Sequence, residues 1–142
     1  MTYPLPAFHF LAEWGGARLG FTSIRGLNQR ADVIEYREGS DRDPETRKIP
    51  GISRGDRITL VRGIISGDGE LAQWMNTLRI GQVERRDLTI SLLNADHEPA
   101  VVWRVRAAWP ARLVGPELDA MAKTVAFEAI EVVHEGIRME SV

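Results

Sequence analysis

Apolar and polar residues alternate with a period of two along most of the chain, the pattern of strands that turn one face to a core. In "PAFHFLAEW" Phe8, Phe10, Ala12 and Trp14 fall on one side and His9, Leu11 and Glu13 on the other, and Gly15-Gly16 supplies a hairpin turn. "ARLGFTSI" returns as the partner strand, and "QRADVIEYRE" follows as an extended segment with both faces partly apolar. "DRITLVRGII" places Ile58 and Leu60 on one face. "RDLTISLLN" places Leu88, Ile90 and Leu92 toward the core, with Asp87, Thr89 and Ser91 opposite. After the turn "NADHEP", "AVVWRVRAAW" sets Val101, Trp103 and Val105 against Val102, Arg104 and Arg106. Pro110 and Gly115-Pro116 are expected to interrupt or end strands, and "TVAFEAIEVVHEG" reads as one long closing strand.

One segment changes period. From Asp68 to Arg79, Leu71, Trp74, Met75 and Leu78 recur at i, i+3, i+4 and i+7, which predicts an amphipathic helix over about 69–80. Asp68 is placed to cap its start and Gly81 its end. The expectation is a single domain over 1–142, mainly β with about seven strands. Its one flanking helix covers an open end or face of a barrel or sandwich. At 142 residues the chain buries roughly two thirds of its unfolded surface, enough for an independent core.

The alternation lapses at residues 35–51, "EYREGSDRDPETRKIPG", where an extended charged loop of about 39–51 is expected. The stretch reads as a lid, an insertion or a strap for another protein. A compact domain needs a reason to keep so long a segment. Composition narrows the choice. Net charge is -2, which excludes a global basic field for nucleic acid, and Arg outnumbers Lys sixteen to two, the cation suited to bidentate ion pairs at protein contacts. No cysteine is present, so disulfides, thiolate metal sites and cysteine nucleophiles are out. The N-terminus lacks a basic region followed by an apolar run, and no stretch reaches the roughly 20 apolar residues of a membrane span, so no membrane anchor is expected.

Reactive centres do not emerge. His9, His97 and His134 show no metal-ligand spacing, the serines sit in no nucleophile elbow, and "GGARLG" is a hairpin rather than a phosphate loop. Arg54-Gly55-Asp56 reads as a turn entering a strand, and Glu84 and Asp87 around Arg85-Arg86 as a solvated or subunit-facing strand entry. No catalytic residue, cofactor or metal is expected. Long strands without chemistry leave edges of unpaired N–H and C=O groups, which an identical neighbour would cover. A small β-barrel binding module with the charged segment as a lid is the competing reading.

Several stretches in order along the chain, "YPLPAFHF", "VIEYREGSD", "TRKIPG", "ITLVRG", "ERRDLTISLLN", "WRVRAAWP" and "VAFEAIEVVHEG", resemble the tube proteins of contractile phage tails and phage-tail-like injection systems. The haemolysin-coregulated protein of type VI secretion shares that architecture. The resemblance implies two packed antiparallel sheets closing toward a barrel, assembled as a six-membered ring with a continuous inner barrel. Such rings stack into an inner tube that sheath contraction drives through a target envelope. It implies as partners other copies of the chain, a sheath protein, baseplate or hub and terminator proteins, and a DNA or protein cargo. Assembly would take place in the bacterial cytoplasm. A tube-initiator or baseplate adaptor of the same fold is the alternative within the family.

On this resemblance the charged segment contacts the adjacent subunit and the next ring through Arg37, Glu38, Asp41, Arg42, Asp43, Glu45, Arg47 and Lys48. Asp87, Thr89 and Ser91 are candidates to line the channel, with Arg104 and Arg106 a second polar face to which an anionic cargo would adhere. Met121 and Ala122 depart from the polar turn expected before the last strand.

Overall fold

The computed structural model describes residues 3–15 and 17–142, and the second glycine of the expected Gly15-Gly16 turn lies outside them. Gly15 itself adopts a positive φ of 55°. In order the elements are β1 (Phe10–Trp14), β2 (Ala17–Leu19), β3 (Ser23–Arg25), β4 (Gln29–Tyr36), β5 (Arg47–Gly55), β6 (Ile58–Gly63), α1 (Glu70–Met75), β7 (Arg86–Leu93), β8 (Pro99–Val114), β9 (Phe127–Val133) and β10 (Gly136–Ser141). No helix among the described residues is long and apolar enough to cross a membrane.

Two antiparallel sheets share β8. Its first half pairs with β7 on one edge and β10 on the other, and β7 leads on to β1 and β2. Its second half, from Trp109, pairs with β9, which leads to β6 and β3. A strand that passes from one sheet to the other needs a corner. Here Ala107 takes a positive φ of 52° and the register slips between Pro110 and Arg112. Pro110 therefore does not stop the strand as expected. The bulge absorbs its missing N–H, and the ring is buried at the corner.

The expected closing strand is shorter than its pattern, and a further strand that the pattern did not mark follows it. β9 stops at Val133, and the chain turns at His134 and Glu135 to give β10, which lies on β8. His134 makes that turn: its Nδ1 accepts the Gly136 N–H at 3.2 Å, and its Nε2 lies 3.0 Å from the carbonyl of Asp56.

The core lies between the sheets. Ile58 and Leu60, Leu88 and Ile90, and Ile130 and Val132 meet there, as period two dictates, with Ala12, Trp14 and Val105. Leu92, expected with them, is only half-buried at the open end of the sandwich. α1 closes the other end. Leu71 and Trp74 are fully buried, the Trp74 ring meets Trp14 edge to face at 4.9 Å, and its Nε1–H donates to Glu84 O at 2.8 Å. The Arg86 guanidinium lies 4.9 Å from the Trp14 ring and 5.1 Å from the Trp74 ring, a doubled cation–π contact.

The helix is shorter than its stripe. Backbone bonding changes to i→i+3 at Thr77 and Leu78, and the Thr77 hydroxyl caps the Trp74 carbonyl at 2.7 Å. Leu78 is left half exposed, and Gly81 (φ 74°) serves a separate turn closed by Arg79 and Gln82. At the start the N-cap is Gly69, while Asp68 reaches forward past it to accept the Glu70 N–H at 3.3 Å.

Asp68 is occupied elsewhere, by an ion cluster that the pattern of residues did not reveal. Arg62 continues the inward face of Ile58 and Leu60 and is only 3% exposed. Its Nε meets Glu128 at 2.9 Å and its terminal nitrogens meet Asp68 at 3.2–3.3 Å. The cluster ties β6 to β9 and to the lead-in of α1. Arg62→Met is expected to lower stability by about 3 kcal/mol, because the partner carboxylates lose their counter-charge in a partly buried site. An unfolding midpoint equal to that of the native chain would show that the cluster contributes nothing.

Candidate assembly surfaces

Three features of the domain remain without an internal partner: a projecting hairpin, open sheet edges and a charged outer sheet face. The hairpin is β4–β5, with a register slip between Ala31 and Val33. Gly51 sits opposite that slip, where an added Cβ would lie 2.9 Å from the Asp32 carbonyl oxygen, so only glycine permits this approach. The segment expected as a loop over about 39–51 is thus mostly strand at its far end, with the connection confined to 37–46. Its pairing runs from Gln29–Gly55 to Tyr36–Arg47, although the stretch carries no period-two pattern of its own.

The arm is fastened at its base only. Arg30 pairs with Asp56 at 3.3 Å, the Gln29 amide donates to the Ile137 carbonyl, and His134 packs on Gly55 so closely that no side chain fits there, while Arg54 and Asp32 pair at 2.7 Å across the hairpin itself. Beyond that, Val33, Ile34, Ile49 and Ile52 are 44–69% exposed, with Tyr36 beside them. A lid would lay these apolar groups over a pocket of its own domain. Here they face solvent on a two-stranded ribbon, an arrangement marginal in water without a partner.

The eight charged residues expected at this contact divide into two groups. At the tip Arg37 donates to the carbonyls of Asp41 and Asp43, both at 3.0 Å, Asp41 accepts the Glu38 N–H at 3.0 Å and lies 3.9 Å from Arg47, and Glu38 accepts from the Tyr36 hydroxyl at 3.0 Å. Those groups shape the loop. The side chains of Arg42, Asp43, Glu45 and Lys48 are exposed and have no ion pair among the described residues, which leaves them free to set register with another molecule. The apolar side chains of the arm escaped a reading that looked for charge, although the two-faced apolarity of "QRADVIEYRE" was their signal.

Edges come next. The sheet path ends at β2 and β3, and β10 pairs only with β8, so each offers a row of backbone donors and acceptors. On the outer face of the first sheet, Asp87 is exposed, with Oδ1 accepting the Ala107 N–H at 2.9 Å, and Thr89 is half-buried. Ser91, expected on the same polar face, is only 5% exposed between its cross-strand neighbours Leu11 and Val102, so it cannot present its hydroxyl to a channel from this protomer. Arg104 and Arg138 face each other across β8 and β10 and share Glu140, at 3.1 and 2.7 Å. The hydrogen bond from Arg104, joined by the charge of Arg138, holds the Glu140 carboxyl below the usual carboxylate range against a desolvation cost.

The histidines serve structure: His9 and His97 meet edge to face at 4.7 Å and His134 holds the β9–β10 turn. No group of three metal-ligating side chains occurs among the described residues.

Residues 6–138, from before β1 into β10 and including the arm, match the family described as T4-like virus tail tube protein gp19. The chain belongs to this tail tube family. Among solved structures, the tail tube protein described here is similar to a chain of an extracellular contractile injection system, the PVC sheath-tube complex in the extended state. Identity is 35% over 99% of this chain and 93% of that one, with a TM-score of 0.90. It is also similar to a chain from the tube-terminating cap of the anti-feeding prophage, with 32% identity, coverage of 100% and 94%, and a TM-score of 0.92. Hcp1 from Flavobacterium johnsoniae, at 19% identity, coverage of 95% and 97%, and a TM-score of 0.58, shares the fold. No curated protein matches the chain. The function of a structural tube subunit follows from the family, and the two packed sheets agree with the fold that the sequence resemblance implied.

Proposed function

We propose that six copies of this chain close into a ring and that rings stack into the inner tube of a phage-tail-like contractile injection system. The likeness to the PVC tube chain over 99% of the sequence carries this reading. The open edges of β2, β3 and β10 support it, because neighbours that extend the sheet around a channel satisfy the backbone groups each protomer leaves unpaired. The arm supports it as well: Val33, Ile34, Ile49 and Ile52 gain burial against the next copy, while Arg42, Glu45 and Lys48 penalise wrong juxtapositions.

The outer face bearing Asp87 and Thr89, with Arg104 and Arg106, turns to the channel in this reading. A surrounding sheath, a baseplate and a terminating cap are its protein partners, and DNA or an effector protein its cargo. The subunit works by polymerising and has no catalytic role. Assembly takes place in the bacterial cytoplasm, ahead of incorporation into a virion tail or an injection particle.

The match to the anti-feeding prophage cap structure favours a second reading, in which the chain forms a single ring at a tube end. Light scattering of the purified protein tests the ring itself: the account expects a particle of six 15.9 kDa chains, about 95 kDa, or multiples of it. A species of one chain at every concentration contradicts it. Long tubes by electron microscopy favour the repeating subunit, and rings that never stack favour the terminal one.

A further inference from the structure

The outer face of the first sheet holds more cations than its own carboxylates can serve. Arg104 and Arg138 are direct cross-strand partners, and like charges in that position destabilise a strand pair. A single carboxylate, Glu140, bonds both. Two residues along β8, Arg106 stands opposite Gly136 and lays its guanidinium across it, about 3.7 Å from where a Cβ would be. Its one hydrogen bond is to the Glu135 carbonyl at 3.0 Å, and it has no ion pair among the described residues. Asp87, the nearby acid on β7, has Oδ1 engaged by the Ala107 N–H at the bulge where β7 and β8 slip register. Arg104, Arg106, Arg138, Asp87 and Thr89 line one open trough of about 400 Å³. With Glu140 counted, three guanidiniums face two carboxylates.

We propose that this trough is a recognition site for the acidic side chains of a polypeptide. Guanidinium donors left without partners take a carboxylate in bidentate fashion, and an added carboxylate also relieves the Arg104–Arg138 repulsion. A nucleic-acid strand is the poorer occupant. It presents a charge at every step and gains most from an unbroken cationic track, whereas here Asp87 and Glu140 interrupt the trough. Polypeptide carboxylates can be spaced to match. As a statement about cargo, the inference rests on the channel reading of this face, but the binding itself needs no ring.

The test titrates full-length protein into fluorescein-labelled hexaglutamate at low salt and follows anisotropy, with a labelled oligothymidylate of equal charge in parallel. The expected result is saturable hexaglutamate binding that weakens as salt is added and falls about tenfold in the R104Q/R106Q double variant. Asp87→Asn, whose amide oxygen still accepts from Ala107, is expected to bind more tightly, and circular dichroism checks that each variant is folded. Lack of binding, equal binding by the double variant, or oligothymidylate bound more tightly than hexaglutamate overturns the proposal. Protein that binds in the expected way without forming rings upholds the site and removes only its place in a channel.

Discussion

Trp74→Ala is expected to lower the unfolding free energy by about 3–5 kcal/mol, which for a chain of this size moves the melting midpoint down by roughly 10 °C. The loss has three parts at one position. A fully buried indole disappears from between α1 and the sheets, and the cavity it leaves is walled by Trp14, which cannot collapse because β1 holds it. The Glu84 carbonyl loses its Nε1–H donor. Arg86 loses one of the two rings on which it rests. Trp74→Phe keeps most of the packing and is expected to fall between the two, by about 1–2 kcal/mol. The measurement is denaturant unfolding at a fixed protomer concentration, since assembly shifts apparent stability. An unchanged midpoint for Trp74→Ala would mean that α1 does not close the sandwich.

Shortening the arm is expected to do the opposite, leaving the fold and removing assembly. Replacing residues 32–52 with an Asn-Gly turn retains the Ala31–Ser53 pair and the base contacts of Arg30 and Gln29. None of the excised side chains belongs to the core, so circular dichroism and the melting midpoint of the protomer should stay close to those of the native chain. Ring or tube formation is expected to be lost, because the exposed Val33, Ile34, Ile49 and Ile52 go with the arm. A shortened chain that assembles as before would remove the arm from the interface. One that aggregates or loses its strand signal would make the arm part of the fold.

These contrasting outcomes follow from how differently the two regions were written in the sequence. Where one face meets a continuous core, period two identifies both the strand and its inward side, as Ile58 and Leu60 or Leu88 and Ile90 show. The helix was legible through Leu71 and Trp74 and was overestimated at Leu78, because the stripe does not register that the Thr77 hydroxyl takes the Trp74 carbonyl and ends the α pattern. Pro110 misled for a related reason: a proline stops a strand only where its N–H is needed, and a corner between sheets dispenses with it.

Position across the sheet was harder to read than position along the strand. Ser91 alternates as a polar-face residue should, yet Leu11 and Val102 cover it, and neither is near it in sequence. Arg62 stands at an inward position that alternation assigns to an apolar side chain. Only the fold brings Glu128 and Asp68 to it. The charges of the arm set it apart from the alternating strands, but its strand pairing and its apolar ribbon depend on register with β4.

The central claim is that the unpaired edges and the arm of one protomer are completed by other copies around a hollow axis. Electron cryomicroscopy of the purified assembly, or of the native particle, tests it most directly. The account predicts six-fold rings in which strands continue from copy to copy, with the arm against a neighbour and the face of Asp87, Thr89 and Arg104 turned inward. Solitary protomers, or rings joined through surfaces that leave β2, β3 and β10 open and the arm in solvent, would contradict it.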